Sequence, residues 1–504
     1  MKTTLRVCGV ILLASPASAA TLLVPSQYPT VHAALDAAAS YDTVLVAPGT
    51  YSAVDTRNVD FGSGPQSVTA VGFLPVAVRL VSEGGSGVTT LDLAGSPVTG
   101  LGAALAGRFT GSGAATVEGF RIVAPPGGDG IRVAYGGGVE VRNCELVEVG
   151  PPSAYGITSL YATDLEVTSC TFDGLEGATF QYNGELLMED CLITNCSGTY
   201  GAVHADGPSF NGTRVTIRRT EFVGNSATSL IGGGAFSSNG YGLSIAEIED
   251  CRFVDNTATV RGGAIRVSAA KAGGLVVIDG CVFLRNQAAS GGGAIYLATD
   301  AAITGNTFHS NVASNGFGPA VWVTGFLAGY SVTNNIFSDH LLGAAIYHES
   351  GPLTQGCNLY WKDFFGPVDP TDRRGNPRYC DEAADDLSIA VGSPALRPSC
   401  GLIGALGPAC GSVQAVGIAG KVLASPDPSR GETDLRFSLP ATGAAEIRIH
   451  DVAGRLVERL DMGSLAGGEH RIRWSGSGRS GVYFVRVLLD GSPIAGGKVV
   501  RLGP

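Results

Sequence analysis

Charge is scarce in this chain: Asp, Glu, Lys and Arg supply only 15% of its 504 residues, while 44% are hydrophobic. That balance excludes an intrinsically disordered polymer, which needs charge and little to bury. Basic residues are the scarcer sign, 33 against 44 acids. A surface of that sign repels phosphate backbones and anionic lipid, so nucleic acid is not expected as a partner. Glycine is abundant, 74 residues, yet there is no Gly-X-Y period, which excludes a collagen-like triple helix. After the first residues, no apolar run reaches the roughly 20 residues that cross a bilayer as a helix, so no transmembrane segment is expected.

Residues 1–19 read as a Sec-type signal peptide. Lys2 and Arg6 form a positive start, Val7 to Ala14 a short apolar run, and Ala17-Ser18-Ala19 a small-residue cleavage site. Its removal leaves 31 basic against 44 acidic residues, a formal charge of −13. The expected location is outside the cell or on its outer surface. Such an acidic chain also repels polyanionic polysaccharide unless metal ions or local arginines intervene. The length exceeds what one compact core accommodates, so two or more domains are expected.

An internal repeat dominates the middle. Asp250-Cys-Arg-Phe-Val-Asp-Asn256, Gly280-Cys-Val-Phe-Leu-Arg-Asn286 and Gly305-Asn-Thr-Phe-His-Ser-Asn311 align, and each precedes a glycine-rich turn and a strand beginning at Gly262, Gly292 or Gly318. The aromatic position recurs at Phe120, Leu146, Phe172, Ile193, Phe222, Phe253, Phe283, Phe308 and Phe337. Alternation within a repeat puts Ile248 inward and Glu247 and Glu249 outward, then slips at Asp250 so that Cys251 and Phe253 also face inward. The slip falls on Asn143, Ser169, Asp190, Arg219, Gly280, Gly305 and Asn334 in other repeats, mostly turn formers. Three short strands and three corners per repeat make one coil of a parallel β-helix, with coils about 4.8 Å apart. The phenylalanines then stack inside, Cys144, Cys170, Cys191, Cys251 and Cys281 share an inward column, and Asn225, Asn256, Asn286 and Asn311 sit at one corner, where asparagine tolerates αL and bonds neighbouring coils.

The paired FxxN and GGAI motifs resemble the repeats of chlamydial polymorphic outer-membrane proteins and, more broadly, pectate-lyase-like right-handed β-helices. The start, residues 21–51, resembles the cap of such proteins, with a short helix from Val31 to Ala39 over the open end of the coils. The resemblance implies an all-β right-handed solenoid over 20–350 and is weak on activity, because this architecture hosts lyases, hydrolases, adhesins and inert stalks.

Residues 351–412 break the rhythm and read as a C-terminal cap. Cys357, Cys380, Cys400 and Cys410 lie off the inward column, and in an exported chain they suggest two disulfides. Proximity in sequence favours Cys357–Cys380 and Cys400–Cys410. No histidine pattern beside them supports zinc. Residues 413–430 read as a linker, and 431–504 as short alternating strands of a small antiparallel Ig-like sandwich. Phe437-Ser-Leu-Pro440, Asp451-Val-Ala-Gly-Arg455, Trp474, Ser480-Gly-Val-Tyr-Phe484 and Gly497-Lys-Val-Val-Arg-Leu502 resemble the sorting domain of type IX secretion substrates and related hook-cap domains, although Pro426-Asp427-Pro428 departs from their usual Pro-Asn-Pro opening. The resemblance implies export or surface anchoring through that secretion machinery.

Signatures of catalysis on this fold, clustered carboxylates with an arginine or lysine base or paired aspartates on adjacent coils, are not found in the sequence. Glu166, Glu189, Glu247, Glu249 and Asp279, with Arg218 among them, read as an outward ladder of cross-coil ion pairs. Asp129, in Gly127-Gly-Asp-Gly130, reads as a turn residue. A second outward row follows the third strands: Arg132, Thr158, His204, Ser237, Arg266, Tyr296, Trp322 and Tyr347. Tyr296, Trp322 and Tyr347, with Arg266, would present ring faces to a cell-surface glycan or other polysaccharide; the bland alternative is a cross-strand ladder, or rings beneath a loop. The reading is an exported surface protein in adhesion, surface structure or glycan binding, without catalysis. Its alternative is a polysaccharide lyase or glycoside hydrolase with an unrecognised site. No cofactor is expected; Ca2+ is compatible with such a site, and no motif supports it.

Overall fold

A computed structural model describes residues 19–410 and 421–501, apart from positions 97, 99, 110, 162, 208–211, 241, 269–272, 326–328, 341, 364–368, 398, 427–428, 430, 452–455, 476–480 and 491. The signal peptide expected over residues 1–19 therefore lies, but for Ala19, outside the described residues. The chain divides into two compact units, one of residues up to Gly375 with Ile403–Ala405, the other of the remainder.

The first unit is a right-handed parallel β-helix. Its first and second sheets each hold 13 strands, the third holds 12, and a short fourth sheet of five two-residue strands lines one corner from Ser197–Gly198 to Val312–Ala313. Every inter-coil pairing is parallel and in register apart from the opening hairpin of the third sheet, Asp55–Asp60 against Pro65–Phe73, and one bulge at Thr213/Arg214. The cap helix, Val31–Ala37, is two residues shorter than expected. Thr30 caps it by accepting from the Ala33 N–H, and Val31, Ala34 and Leu35 are buried.

The inward columns follow the repeat. Phe222, Phe253, Phe283, Phe308 and Phe337 stack with centroids 4.8–5.1 Å apart and planes within 10°. Burial of each ring contributes about 2–3 kcal/mol before its neighbours' packing is counted. Every expected slip residue has positive φ, from Asn143 (53°) through Asp250 (53°) to Asn334 (60°). The five column cysteines, and Cys196 with them, are buried free thiols.

The asparagines bond as expected, but the strain lies one residue earlier: Gly224, Asp255, Arg285 and Ser310, not the asparagines, adopt αL. That leaves each asparagine side chain turned inward. The Asn225 N–H donates to Asn256 Oδ1 (3.1 Å), the Asn256 N–H to Asn286 Oδ1 (3.1 Å), and the Asn286 N–H to Asn311 Oδ1 (2.9 Å). Each Nδ2 donates to a phenylalanine or isoleucine carbonyl, as Asn256 does to Phe222 (3.0 Å). A second ladder replaces the cysteines: Asn306 to Asn335 (2.9 Å), Asn335 to Asn358 (3.0 Å), and Asn358 to Asp372 (2.9 Å).

That second ladder carries the solenoid past residue 350, its expected end. Leu353–Gly356, Leu359–Trp361 and Arg373–Arg374 extend the first two sheets, and Tyr360 stacks on Phe337 at 5.3 Å. The FxxN signal was lost there only because Phe gives way to Tyr360 and the asparagine to Asp363.

In the second unit, Cys380 pairs with Cys410 at a Cα separation of 5.5 Å, which corrects the pairing chosen by sequence proximity; Cys400 is disulfide-bonded as well, as is Cys357 of the first unit. The physical reason is the sheet: Asp386–Ala390 runs between Tyr379–Asp381 and Pro408–Cys410, drawing two distant segments together. The C-terminal sandwich packs a three-stranded sheet and a four-stranded one around Leu435, Phe437, Ile447, Trp474, Val485 and Val499. Leu423–Ser425 is one of its strands, pairing antiparallel with Thr433–Leu439, so the segment expected as linker through residue 430 already belongs to the sandwich by Leu423. Asp451–Arg455 and Ser480 of the sorting-domain resemblance fall largely outside the described residues.

Asn256→Ala removes the acceptor of the Asn225 N–H and the donor to the Phe222 carbonyl, at a cost of about 2–3 kcal/mol. Urea unfolding followed by circular dichroism should show the lower midpoint; an unchanged midpoint would mean that the ladder is not a source of stability.

Candidate functional site

The outward row of the third sheet is in register over its whole length: Arg132, Thr158, Phe180, His204, Ser237, Arg266, Tyr296, Trp322 and Tyr347 stand opposite one another on consecutive coils. Phe180 was absent from the sequence reading. Its strand, Gly177–Tyr182, carries the buried Thr179 where the strands of the other row members carry an inward Ile, Val or Phe.

The row is less open than expected. Tyr296 is 5% exposed, Trp322 7% and Arg266 8%, whereas Tyr347 is half-buried. The cover comes from residues just ahead of each glycine turn, which fold back across the row. Tyr200 stacks on His204 (4.2 Å, 21°). The Arg261 guanidinium lies 4.4 Å over the Trp322 ring and 4.9 Å over Tyr296. Phe317 leans on Tyr347 at 4.8 Å while staying 43% exposed. Trp322 and Tyr347 meet edge to face at 5.5 Å, as Tyr296 and Trp322 do at 5.4 Å. Gly291 makes the Trp322 position workable, because a Cβ there would collide with the indole. Arg261, Phe317 and Tyr200 could have been found in the sequence as residues directly preceding the turn glycine, Gly262, Gly318 and Gly201; alternation within strands does not reveal them.

Two features nearby carry buried polarity. Asp129 is not a turn residue: it opens the strand Asp129–Ala134, is 1% exposed, and accepts from Arg132 Nε and Thr158 Oγ1 (both 2.5 Å). Burial pushes its carboxyl pKa up, against the pull of Arg132. Further along, His204 Nδ1 lies 2.9 Å from Ser237 Oγ, and Nε2 lies 3.9 Å from Asp206. The trio has the composition of a hydrolase triad but not its arrangement. Ser237 is fully buried and donates its one proton to the Tyr200 carbonyl (2.7 Å), so the imidazole N–H donates to the serine rather than accepting from it.

The acidic row on the first sheet behaves as cross-coil ion pairing. Arg218 reaches Glu249 (2.8 Å), Glu189 (3.8 Å) and Glu247 (3.8 Å), and Arg142 reaches Glu166 (3.0 Å). Asp279 continues the row without a cationic partner among the described residues, and burial together with Asp250 and Glu249 raises its pKa. These are half-exposed pairs of small individual worth.

Comparison with known proteins gives the fold. The family described as the right-handed beta helix region matches residues 108–272, and the Chlamydia polymorphic membrane protein repeat matches residues 280–298. No curated protein sequence matches the chain. Among solved structures, a mutant PL6-family alginate lyase is 13% identical at a TM-score of 0.37, covering 82% of this chain and 60% of its own. A double mutant of the tailspike protein of E. coli bacteriophage HK620 is 12% identical at a TM-score of 0.32, covering 91% of this chain and 86% of its own. The chain thus spans 60% of the length of that lyase. No helix among the described residues is long and apolar enough to cross a membrane.

Burial lowers the His204 pKa to about 4. The unfolded chain takes up this proton near pH 6.5 and the folded chain resists it to about pH 4, so stability falls as pH drops through that window, by up to about 3 kcal/mol. Urea midpoints at pH 7 and pH 4.5 should differ less in His204→Gln than in the unaltered protein; an equal difference would place the acid sensitivity elsewhere.

Proposed function

We propose that this is an exported protein of the cell surface or extracellular space that binds glycan along the outward face of the third sheet, without catalysis. The observation that carries the reading is the set of aromatic side chains held in register on three adjacent coils, Tyr296, Trp322 and Tyr347, with Phe317 exposed at their rim. Sugar rings present C–H faces that stack on such side chains. Here the accessible part of the platform is Phe317, Tyr347 and the guanidinium of Arg261, while the buried Tyr296 and Trp322 hold them in place. Rigid, pre-placed rings lose little entropy on binding. No ion is needed by this platform.

The C-terminal sandwich is the sorting or anchoring device in this reading. Its support is the match of Phe437-Ser-Leu-Pro440, Trp474 and the Gly481–Leu489 strand to the motifs of type IX sorting domains, on a sandwich with its own core. Fused to an exported reporter in a host with type IX secretion, residues 421–504 should send the reporter to the surface. A fusion that stays in the periplasm would end the sorting reading.

The binding reading is tested by affinity electrophoresis of the mature chain through a panel of polysaccharides, with and without calcium, while released fragments are assayed. Retention without fragments is expected. Phe317→Ala and Trp322→Ala should each weaken it by about tenfold, the scale of one lost stacking contact. Released fragments would replace binding by lyase or hydrolase chemistry, and no retention on any polymer would remove the glycan.

A further inference from the structure

The aromatic platform contains an electrostatic anomaly. Ten arginines of the first unit lie within salt-bridge distance of a carboxylate. Arg261 and Arg266 have no carboxylate partner among the described residues. They flank the same ring, Arg261 at 4.9 Å and Arg266 at 5.7 Å from the Tyr296 centroid. Their neutral partners are the Tyr296 hydroxyl, which accepts from Arg261 Nη1 (3.1 Å), and Asn239 Oδ1, which accepts from Arg266 Nη1 (3.0 Å). Two like charges thus share one aromatic ring, and Arg266 is 8% exposed.

Hydrogen bonding in the cluster is equally one-sided. Spread over the four successive coils from Ser237 to Trp322, four buried donors lack an acceptor among the described residues: Arg261 Nε, Arg266 Nε, Trp322 Nε1 and Asn239 Nδ2. Native proteins leave few buried polar atoms unpaired. Here the surplus is of donors, beside two uncompensated cations, and Arg261 and Asn239 are half-buried and open the cluster to solvent. What fits such a place is a group that only accepts hydrogen bonds and carries negative charge. A carboxylate does both, and a guanidinium holds it through paired N–H donors.

We propose that Arg261 and Arg266, set between Tyr296, Trp322 and Asn239, bind the carboxylate of a uronosyl unit, so that the glycan recognised is an acidic one. This rests on the glycan-binding reading above. The ring of that unit stacks at the Phe317–Tyr347 rim while its carboxylate meets Arg261. The site also resolves a conflict of charge: a chain of net charge −11 repels polyanions overall, and a local pair of arginines without a carboxylate partner among the described residues is the means of holding one.

The experiment titrates the full mature chain, in EDTA, with an oligogalacturonate and with its carboxyl-reduced, neutral counterpart. The acidic oligomer should bind at least about tenfold more tightly, the scale of one charge-assisted hydrogen bond, and tightness should fall as salt rises. Arg261→Gln should erase that preference, so that the two oligomers bind alike, and Arg261→Lys should restore part of it. Equal binding of the two oligomers by the unaltered protein overturns the carboxylate site and leaves the glycan-binding reading standing. Binding of neither oligomer, when a different polysaccharide is retained on the panel, also overturns it; binding to nothing at all removes both. A preference that survives in Arg261→Gln overturns the assignment to this arginine pair. The comparison of the two oligomers needs no substitution, so it stands even where a variant fails to fold.

Discussion

The inside of a sharp corner has backbone N–H and C=O groups that no strand can pair, and the first unit depends on how these are satisfied. At each such corner a residue in αL turns the chain, and the side chain that follows it points inward. Asparagine can then accept from the coil beneath and donate to a carbonyl of that same neighbouring coil, as Asn256 does between Asn225, Phe222 and Asn286. Because the ladder works only if each asparagine lies directly over the last, it fixes the coils in register. The Phe222–Phe337 stack needs the same register, and the two constraints agree.

Strict register inside imposes strict register outside. A residue that alternates outward on one coil must have its counterpart above and below it, which is how Arg266, Tyr296, Trp322 and Tyr347 come to share a line. The glycine turn before each of these strands lets the preceding residue lie over the row. At Gly291 the missing side chain makes room for the Trp322 indole, and Arg261 closes over the other face of that ring. The platform is therefore a product of coil stacking, needing no loop insertion to assemble it.

Much of this was legible because it repeats. The slip residues, the phenylalanine column, the cysteine column and the outward row each follow from alternation with period two and one phase change per coil. What was not legible depends on facts that alternation does not encode. Phe180 escaped because the inward residue before it is the polar Thr179, not an Ile, Val or Phe. The burial of Tyr296 and Trp322 is set by residues of neighbouring coils, Arg261 and Phe317, that lie outside the strands altogether. The αL position falls before the asparagine, since the asparagine side chain is needed inward. The Cys380–Cys410 pair depends on a sheet that brings distant segments together, and nothing in cysteine spacing reports it.

Between the slip residue and the ladder residue the count never varies: Asp190 to Cys196, Arg219 to Asn225, Asp250 to Asn256, Gly280 to Asn286, Gly305 to Asn311, Asn334 to His340 and Cys357 to Asp363. All variation in coil length falls elsewhere. The solenoid is thus divided, in evolutionary terms, into a segment closed to insertion and deletion and arcs open to both. Lineages can lengthen the chain by duplicating a whole coil, or enlarge one coil's outer arc, without disturbing a neighbour. Loss or gain of one residue inside the closed segment would instead dislocate two ladders at once, so length changes are tolerated best in the outer arcs, beside the aromatic row.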